Sequence, residues 1–280
     1  MSWRAELHLH YLSRAGRSVA MHRHSGPLRV LQSLYPEGDA VCHNVMVHPP
    51  GGVVGGDELH IDVRVDAGAH GLVTTPGATR FYRTTGPDGP AGRQQVSLRL
   101  AAEARLEWLP LENIFHSGCI AENHLHLSLA AGAELIGWDV AAFGLPLAAQ
   151  PFDSGRVTQH IEAGDFWLEH ARIDAQDRRL LDGALGLAGH RCLGSLFLVT
   201  GTPLTRERRE AALESARAAL ERAGVSGAVH GATSPQARVV VVRVLAPVVE
   251  PAMQLLQAVR DAWRAELWRL PAVRPRIWAA

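Results

Sequence analysis

The stretch Leu59-His-Ile-Asp-Val-Arg-Val-Asp-Ala-Gly-Ala69 decides the fold. Side chains along a strand alternate faces, so Leu59, Ile61, Val63 and Val65 share a buried face while His60, Asp62 and Arg64 look outward. The small residues that follow make a turn, and the chain then becomes apolar again. The same unit returns at Val96-Ser-Leu-Arg-Leu-Ala-Ala-Glu-Ala104, at Leu125-His-Leu-Ser-Leu-Ala-Ala-Gly-Ala133 and, more weakly, at Val157-Thr-Gln-His-Ile-Glu-Ala-Gly-Asp165. With Ala69, Ala104, Ala133 and Asp165 taken as equivalent, the copies recur at roughly 30-residue intervals, a repeat-scale period. Such a unit cannot bury its own apolar face, so successive copies must stack. The expected architecture is mainly β, a β-helical or solenoid-like stack of strands.

Turn-forming clusters punctuate the first two-thirds: Pro36-Glu-Gly-Asp39, His48-Pro-Pro-Gly-Gly52, Thr85-Gly-Pro-Asp-Gly-Pro90, Asp153-Ser-Gly155 and Asp182-Gly183. No helical periodicity is found before about residue 200. The last third then changes character. Arg206 to Ala223 sets Leu213, Ala216 and Leu220 on one helical face, and Gly224 follows where a helix would stop. A second helix is expected from near Pro251, where Leu255, Leu256, Val259, Trp263 and Leu267 recur at helical spacing. Between them Arg238-Val-Val-Val-Val-Arg-Val-Leu245 reads as a buried strand. No linker composition intervenes, so residues 1–280 are read as one domain: a β-rich body over 1–200 and an α/β appendage with two helices over 201–280.

Composition excludes several functions. The chain has 280 residues, 47% of them apolar, enough for one or two substantial cores. Basic and acidic residues balance at 28 each, which removes the electrostatic footprint of a nucleic-acid binder. Every basic residue is arginine, and without lysine neither Schiff-base chemistry nor a P-loop hydrolase is available. Cys42, Cys119 and Cys192 are odd in number and widely spaced, which points away from a disulfide framework and toward a reducing, cytoplasmic setting. Met1-Ser2-Trp3-Arg4-Ala5-Glu6 has no apolar signal region, and the run Val239 to Val242 is too short to span a bilayer. Neither export nor membrane attachment is expected.

The chain contains no G-x-S-x-G, H-E-x-x-H, G-x-G-x-x-G or Walker sequence, so no catalytic or cofactor-binding residue is assigned. Three histidine pairs have i, i+2 spacing: His8/His10, His22/His24 and His124/His126. On a strand each pair shares a face that could present imidazoles to a metal. Leu7, Leu9 and Tyr11, and likewise Leu125, Leu127 and Leu129, take the opposite face, which makes these histidines solvent-side residues. The segment His48-Pro-Pro-Gly-Gly-Val-Val-Gly-Gly-Asp57 resembles an anion cradle in its glycines, but Asp57 adds negative charge and a strand follows, not a helix. Tight turns and close backbone packing account for these glycines. Carboxylates in apolar surroundings are more informative. Glu107, Glu112, Asp139 and Glu169 each neighbour large apolar residues, and buried carboxylates are costly unless paired, metal-bound or facing internal water. Together they suggest a polar interior passage.

Several strings, in order, resemble the urease accessory protein family UreD, called UreH in some organisms. They are Gly26-Pro-Leu-Arg-Val30, Tyr35-Pro-Glu-Gly38, Cys42-His43, His48 to Asp57, Thr74-Thr-Pro-Gly-Ala-Thr-Arg-Phe-Tyr-Arg83, Leu106-Glu-Trp-Leu-Pro110, Gly137-Trp-Asp139, Gly186-Leu-Ala-Gly189 and Pro275-Arg-Ile-Trp278. The chain departs from the family at Arg80, where lysine is usual, and at Leu111-Glu-Asn113, where Gln-Glu-Thr is usual. The resemblance implies a β-helical fold with two helices and a non-catalytic role. The implied partners are apo-urease, UreF and the GTP-hydrolysing UreG, in a hetero-oligomeric complex that delivers nickel to urease. No tightly bound cofactor is implied, only nickel in transit.

On this reading Asp57, Glu107, Glu112, Asp139 and Glu169 are the candidate nickel path, because weak oxygen ligands pass a metal on where nitrogen or thiolate sites would hold it. Trp263 and Trp268, large apolar groups near the chain end, are the candidate partner contacts. Two other readings compete with it. One is a β-helical carbohydrate hydrolase or lyase with two carboxylates as acid and base. The other is a nickel-buffering protein using the histidine pairs, for which the solvated face of His124 and His126 predicts little effect of their substitution.

Overall fold

The computed structural model describes residues 2–86 and 88–279. Met1 of the N-terminal stretch, Pro87 of the Thr85 to Pro90 turn, and Ala280 lie outside the described residues. Strands β1 (Arg4–Arg14) and β2 (Arg17–Ser25) form an antiparallel hairpin, followed by β3 (Arg29–Val30) and β4 (Cys42–Val47). The repeat region supplies β5 (Glu58–Val65), β6 (His70–Thr74), β7 (Thr79–Phe81), β8 (Gly92–Leu100), β9 (Arg105–Leu109), β10 (Asn113–Phe115), β11 (Cys119–Leu129) and β12 (Glu134–Leu145). Next come β13 (Gln150–Pro151), β14 (Gly155–Ala163), β15 (Trp167–Asp174), α1 (Arg178–Asp182) and β16 (Cys192–Thr200). The last third adds α2 (Arg206–Ala223), β17 (Val229–Gln236), β18 (Val239–Ala246) and α3 (Val249–Trp268).

The described residues form a mostly β structure of two mixed sheets with no closed barrel. The seven-stranded sheet has the order β15-β14-β11-β8-β5-β1-β2. The other follows β17-β18-β16-β12-β9-β6-β4-β3, with β10 and β13 joined to β12 and β7 to β10. The repeat copies lie side by side and parallel in the first sheet, with Ile61 opposite Val96 and Val96 opposite Leu125. The strand after each of the first three turns enters the second sheet, where β6, β9 and β12 are again parallel neighbours, whereas β15 after the fourth folds back antiparallel on β14 in the first sheet. The three turns between the sheets share one hydrogen bond: Ala69 N to Asp66 O, Ala104 N to Ala101 O and Ala133 N to Ala130 O, at 3.0, 3.2 and 3.1 Å.

The fourth copy is displaced. The repeat as read from sequence sets Val157 against Leu125, whereas the structure pairs Ile161 with Leu125. An even shift keeps inward residues inward, so alternation is blind to it.

Burial follows the alternation. Leu59, Ile61, Val63 and Val65, with Val96, Leu98, Leu125 and Leu127, fill the space between the sheets and meet Leu106, Trp108, Leu135 and Phe197 from the second sheet. Each such side chain contributes about 1.5–3 kcal/mol relative to exposure. The other face of the second sheet carries Leu109, Ile136, Trp138, Val140, Leu196 and Leu198 against α2 and α3. That sheet is therefore covered on both sides.

Among the described residues there are three α-helices: the two expected in the last third and one before residue 200. The extra one, α1, is a five-residue turn before residue 200 whose N-cap Asp177 accepts from Leu180 N at 2.9 Å, too short to generate helical periodicity. Helix α2 starts at Thr205, which accepts from Arg208 N at 3.2 Å, and stops at Gly224 in the left-handed region, φ 59°. Its buried face is Ala212, Ala216, Ala219 and Leu220.

Helix α3 is fastened to the second sheet by a buried ion cluster. Glu107 on β9 has no solvent exposure and accepts from Arg260 Nε at 2.6 Å and from Arg264. Arg264 also binds Glu37, whose other oxygen lies 2.7 Å from His43 Nε2. Arg260 further reaches Asp261 at 3.0 Å, and Asp261 pairs with Arg274 at 2.9 Å. Three carboxylates thus face three guanidiniums. Burial pushes the Glu107 carboxyl upward, but Arg260, His70 and Arg264 outweigh burial and hold it at about 2.

Glu107→Gln leaves the two guanidiniums short of a charge and is expected to cost about 3–5 kcal/mol in urea unfolding near neutral pH. The folded carboxyl lies below its ordinary value of 4.5, so its stabilisation is complete above that pH and fades as pH falls toward about 2. The gap between wild type and variant should close across that window; a gap that stays constant would show that the Glu107 charge is not its source.

Candidate functional site

On β12, Trp138 points toward the helices, and its neighbour Asp139 therefore points the other way, into the space between the sheets. There it meets amides. Gln159 Nε2 on β14 donates to one carboxylate oxygen at 2.7 Å, while Asn113 Nδ2 on β10 and Asn123 Nδ2 on β11 donate to the other at 3.2 and 3.3 Å. Asn123 also accepts from Gln94 on β8 at 3.1 Å. Gln94, Asn123 and Gln159 are in register on neighbouring parallel strands, so together they make a buried polar rung across the repeat. In the first copy the same rung is Leu59.

Asp139 borders a cavity of about 420 Å³ whose wall also includes Gln159, Glu169, His170, Ser195 and Arg243. Burial raises the Asp139 carboxyl to about 6, with the Glu169 charge adding to the rise and the amides of Asn113 and Asn123 opposing it. Glu169 accepts from Trp167 Nε1 at 3.2 Å and pairs with Arg243. The site is an oxygen-rich hollow that holds one carboxylate between charge states near neutral pH.

Of the five candidate acids, the structure brings only Asp139 and Glu169 to one cavity. Glu107 lies on the opposite face of the second sheet, clamped by α3. Glu112 borders a separate, mainly apolar cavity of about 270 Å³ with Glu250; burial raises its carboxyl and Glu250 raises it further. Asp57 closes the glycine-rich turn, accepting from Val54 N at 3.1 Å and Trp3 N at 3.2 Å. The glycines there serve packing, since a Cβ at Gly55 would stand 2.7 Å from the Pro90 carbonyl.

Trp263 and Trp268, the candidate partner contacts, do not lie on the surface of the chain. Both are buried: Trp263 donates to the Ala212 carbonyl at 2.8 Å and Trp268 to Glu134 at 2.5 Å, so α3 turns them inward against α2 and the sheet. Leu147 and Leu185 are among the large apolar groups that do face solvent.

Sequence reasoning missed Asn113, Asn123, Gln159 and Gln94. A signal existed, since Gln94 and Asn123 sit two residues before the quoted copies at inward-facing positions, where an amide is out of place unless it has partners.

Distant strings of the sequence also converge beside this site. Trp278 of the C-terminal tail stacks near Trp138, ring centroids 5.3 Å apart, and donates to Thr74 Oγ1 at 2.9 Å. Thr74 donates in turn to the Leu109 carbonyl at 2.7 Å, and Trp138 to the Pro110 carbonyl at 2.5 Å. Fold and site together define a β-sheet protein with an amide-caged carboxylate in its interior. A family model described as UreD urease accessory protein matches residues 4–279. Over 279 residues, covering all of both chains, the sequence is 62% identical to the urease accessory protein UreD of Variovorax paradoxus and 61% identical to that of Polaromonas naphthalenivorans. The corresponding protein of Leptothrix cholodnii is 52% identical over 280 residues and 99% of both chains. The chain belongs to the UreD family of urease accessory proteins.

The raised Asp139 carboxyl sets the sign of a stability test. The folded group holds its proton from the ordinary 3.8 up to about 6 while the unfolded group has lost it, so this residue's contribution falls as pH rises through that window. Asp139→Asn should match wild type near pH 4 and exceed it near pH 7 by on the order of 1–2 kcal/mol in chemical denaturation. Equal stabilities at both pH values would mean that the cage does not disfavour the charge.

Proposed function

We propose that the chain is a non-catalytic scaffold in urease maturation. It binds apo-urease together with UreF and UreG in a hetero-oligomeric complex and guides nickel toward the dinuclear centre of urease. The observation that carries this reading is membership of the accessory family over residues 4–279. Nickel is cargo here, and the chain holds no cofactor of its own.

Physical features support the scaffold reading. The two sets of parallel neighbours joined by equivalent turns are what a β-solenoid produces, and we read the repeat body as one, with α2 to α3 as its appendage within a single domain. All three cysteines are free and buried, and burial pushes the Cys119 and Cys192 thiols up to about 12, which makes poor nucleophiles of them. Reduced thiols and balanced charge fit a cytoplasmic protein without nucleic-acid or membrane partners. Among the described residues no helix is long and apolar enough to cross a membrane.

Asp139 and Glu169 are the acids carried forward as the nickel path. Carboxylate and amide oxygens bind nickel weakly, as transit requires. The test uses co-purification of the chain with UreF and apo-urease, followed by nickel counting on the urease. Asp139→Asn and Glu169→Gln should keep UreF bound while nickel per urease falls several-fold. Full nickel incorporation in both variants would reject the path, and failure of the wild-type chain to join UreF and apo-urease would reject the scaffold role.

A further inference from the structure

We propose that His126, His160 and Glu162 form a binding site for one divalent first-row transition ion on the outer face of the seven-stranded sheet. The parallel register of β11 and β14 sets His126 directly opposite Glu162 and His124 opposite His160. Glu162 lies between the two imidazoles: its Oε1 is 3.1 Å from His126 Nδ1 and its Oε2 is 2.7 Å from His160 Nε2. One ligand atom from each residue lies within 4.8 Å of the other two. With metal–ligand bonds of about 2.0–2.2 Å, adjacent ligand atoms in tetrahedral or octahedral sites stand roughly 3 Å apart. Each imidazole already stands at about that distance from one of the two Glu162 oxygens, and the edge between the imidazoles lies within 4.8 Å.

The donor set fixes the class of ion. Two imidazoles and one carboxylate suit nickel, zinc or copper in the divalent state, and they discriminate against magnesium and calcium, which prefer all-oxygen shells. Three protein ligands on one face leave positions open to water, so the ion can exchange. The far nitrogen of His160 is engaged as well: its Nδ1 lies 3.3 Å from His170 Nδ1, a contact that orients the ring as outer-shell partners do in metal sites. His124 stands beside both ligands, its ring 5.5 Å from that of His160 and 6.3 Å from that of His126. His170 also borders the cavity that holds Asp139 and Glu169, so the surface site and the interior hollow share a wall.

Sequence spacing could not find this site. Alternation correctly assigns His124 and His126 to the solvated face, but the second imidazole and the carboxylate come from β14, a neighbour that only the register supplies.

The site does not depend on the maturation role, and its test is separate. The full-length chain without an affinity tag is titrated calorimetrically with nickel chloride and with zinc chloride, and with magnesium chloride as the control ion. Wild type should bind one equivalent of nickel or zinc that His160→Gln lacks, and Glu162→Gln should weaken that equivalent by at least about tenfold. His24→Gln, on β2, should leave it unchanged. All three positions are on strand faces turned to water, and far-ultraviolet circular dichroism confirms that each variant is folded; should His160→Gln fail to fold, His126→Gln replaces it with the same expectation. Isotherms of His160→Gln and Glu162→Gln that superimpose on wild type overturn the site, as does magnesium binding of equal strength. Unchanged isotherms alongside reduced nickel loading in Asp139→Asn would overturn this site and leave the interior path standing.

Discussion

The structure depends on the parallel ladder that joins one repeat copy to the next. A single copy offers one apolar face per strand and a row of unpaired backbone groups on either edge, and neither can be satisfied locally. Stacking in register answers both at once: Ile61, Val96 and Leu125 line up across β5, β8 and β11, and the following strands β6, β9 and β12 line up in the second sheet. The equivalent turns at Ala69, Ala104 and Ala133 hold the two ladders in step. Everything placed between the sheets, including the polar rung, inherits its position from that register.

Alternation on the second sheet then separates two kinds of carboxylate. Glu107 faces the helices, where α3 supplies two guanidiniums that compensate its charge. Asp139 faces the interior, where only neutral amides reach it and burial leaves its charge poorly compensated. One residue is an ionised fastening for a helix. The other is a carboxyl whose charge burial disfavours, the kind of perturbed group associated with functional sites.

The cladding helices explain a second division of roles. Burying Trp263 and Trp268 between α3, α2 and the sheet lets the C-terminal third complete the second core. The tail then returns Trp278 to Trp138 and Thr74, so residues far apart in the chain brace the strand that carries Asp139. Large apolar groups left in solvent sit elsewhere, at turns such as that of Leu185 and on strands at Met21, Leu168 and Val229.

The sequence by itself determined the repeat strands, the turns that punctuate them, the buried strand after the first long helix, the two long helices and the Gly224 stop, because period-two and period-3.6 apolar patterns report which face is buried. It also carried the family resemblance through ordered local strings. It did not determine the register of the fourth copy, since an even slip leaves every face unchanged, nor which acids share a space. Glu107 and Asp139 look alike in their local strings and end on opposite sides of a sheet; Trp263 and Trp268 look like docking groups and end inside. Those outcomes were decided by tertiary structure, because the partner of a buried charge, an amide or an imidazole comes from a neighbouring strand or helix whose lateral placement no local spacing encodes.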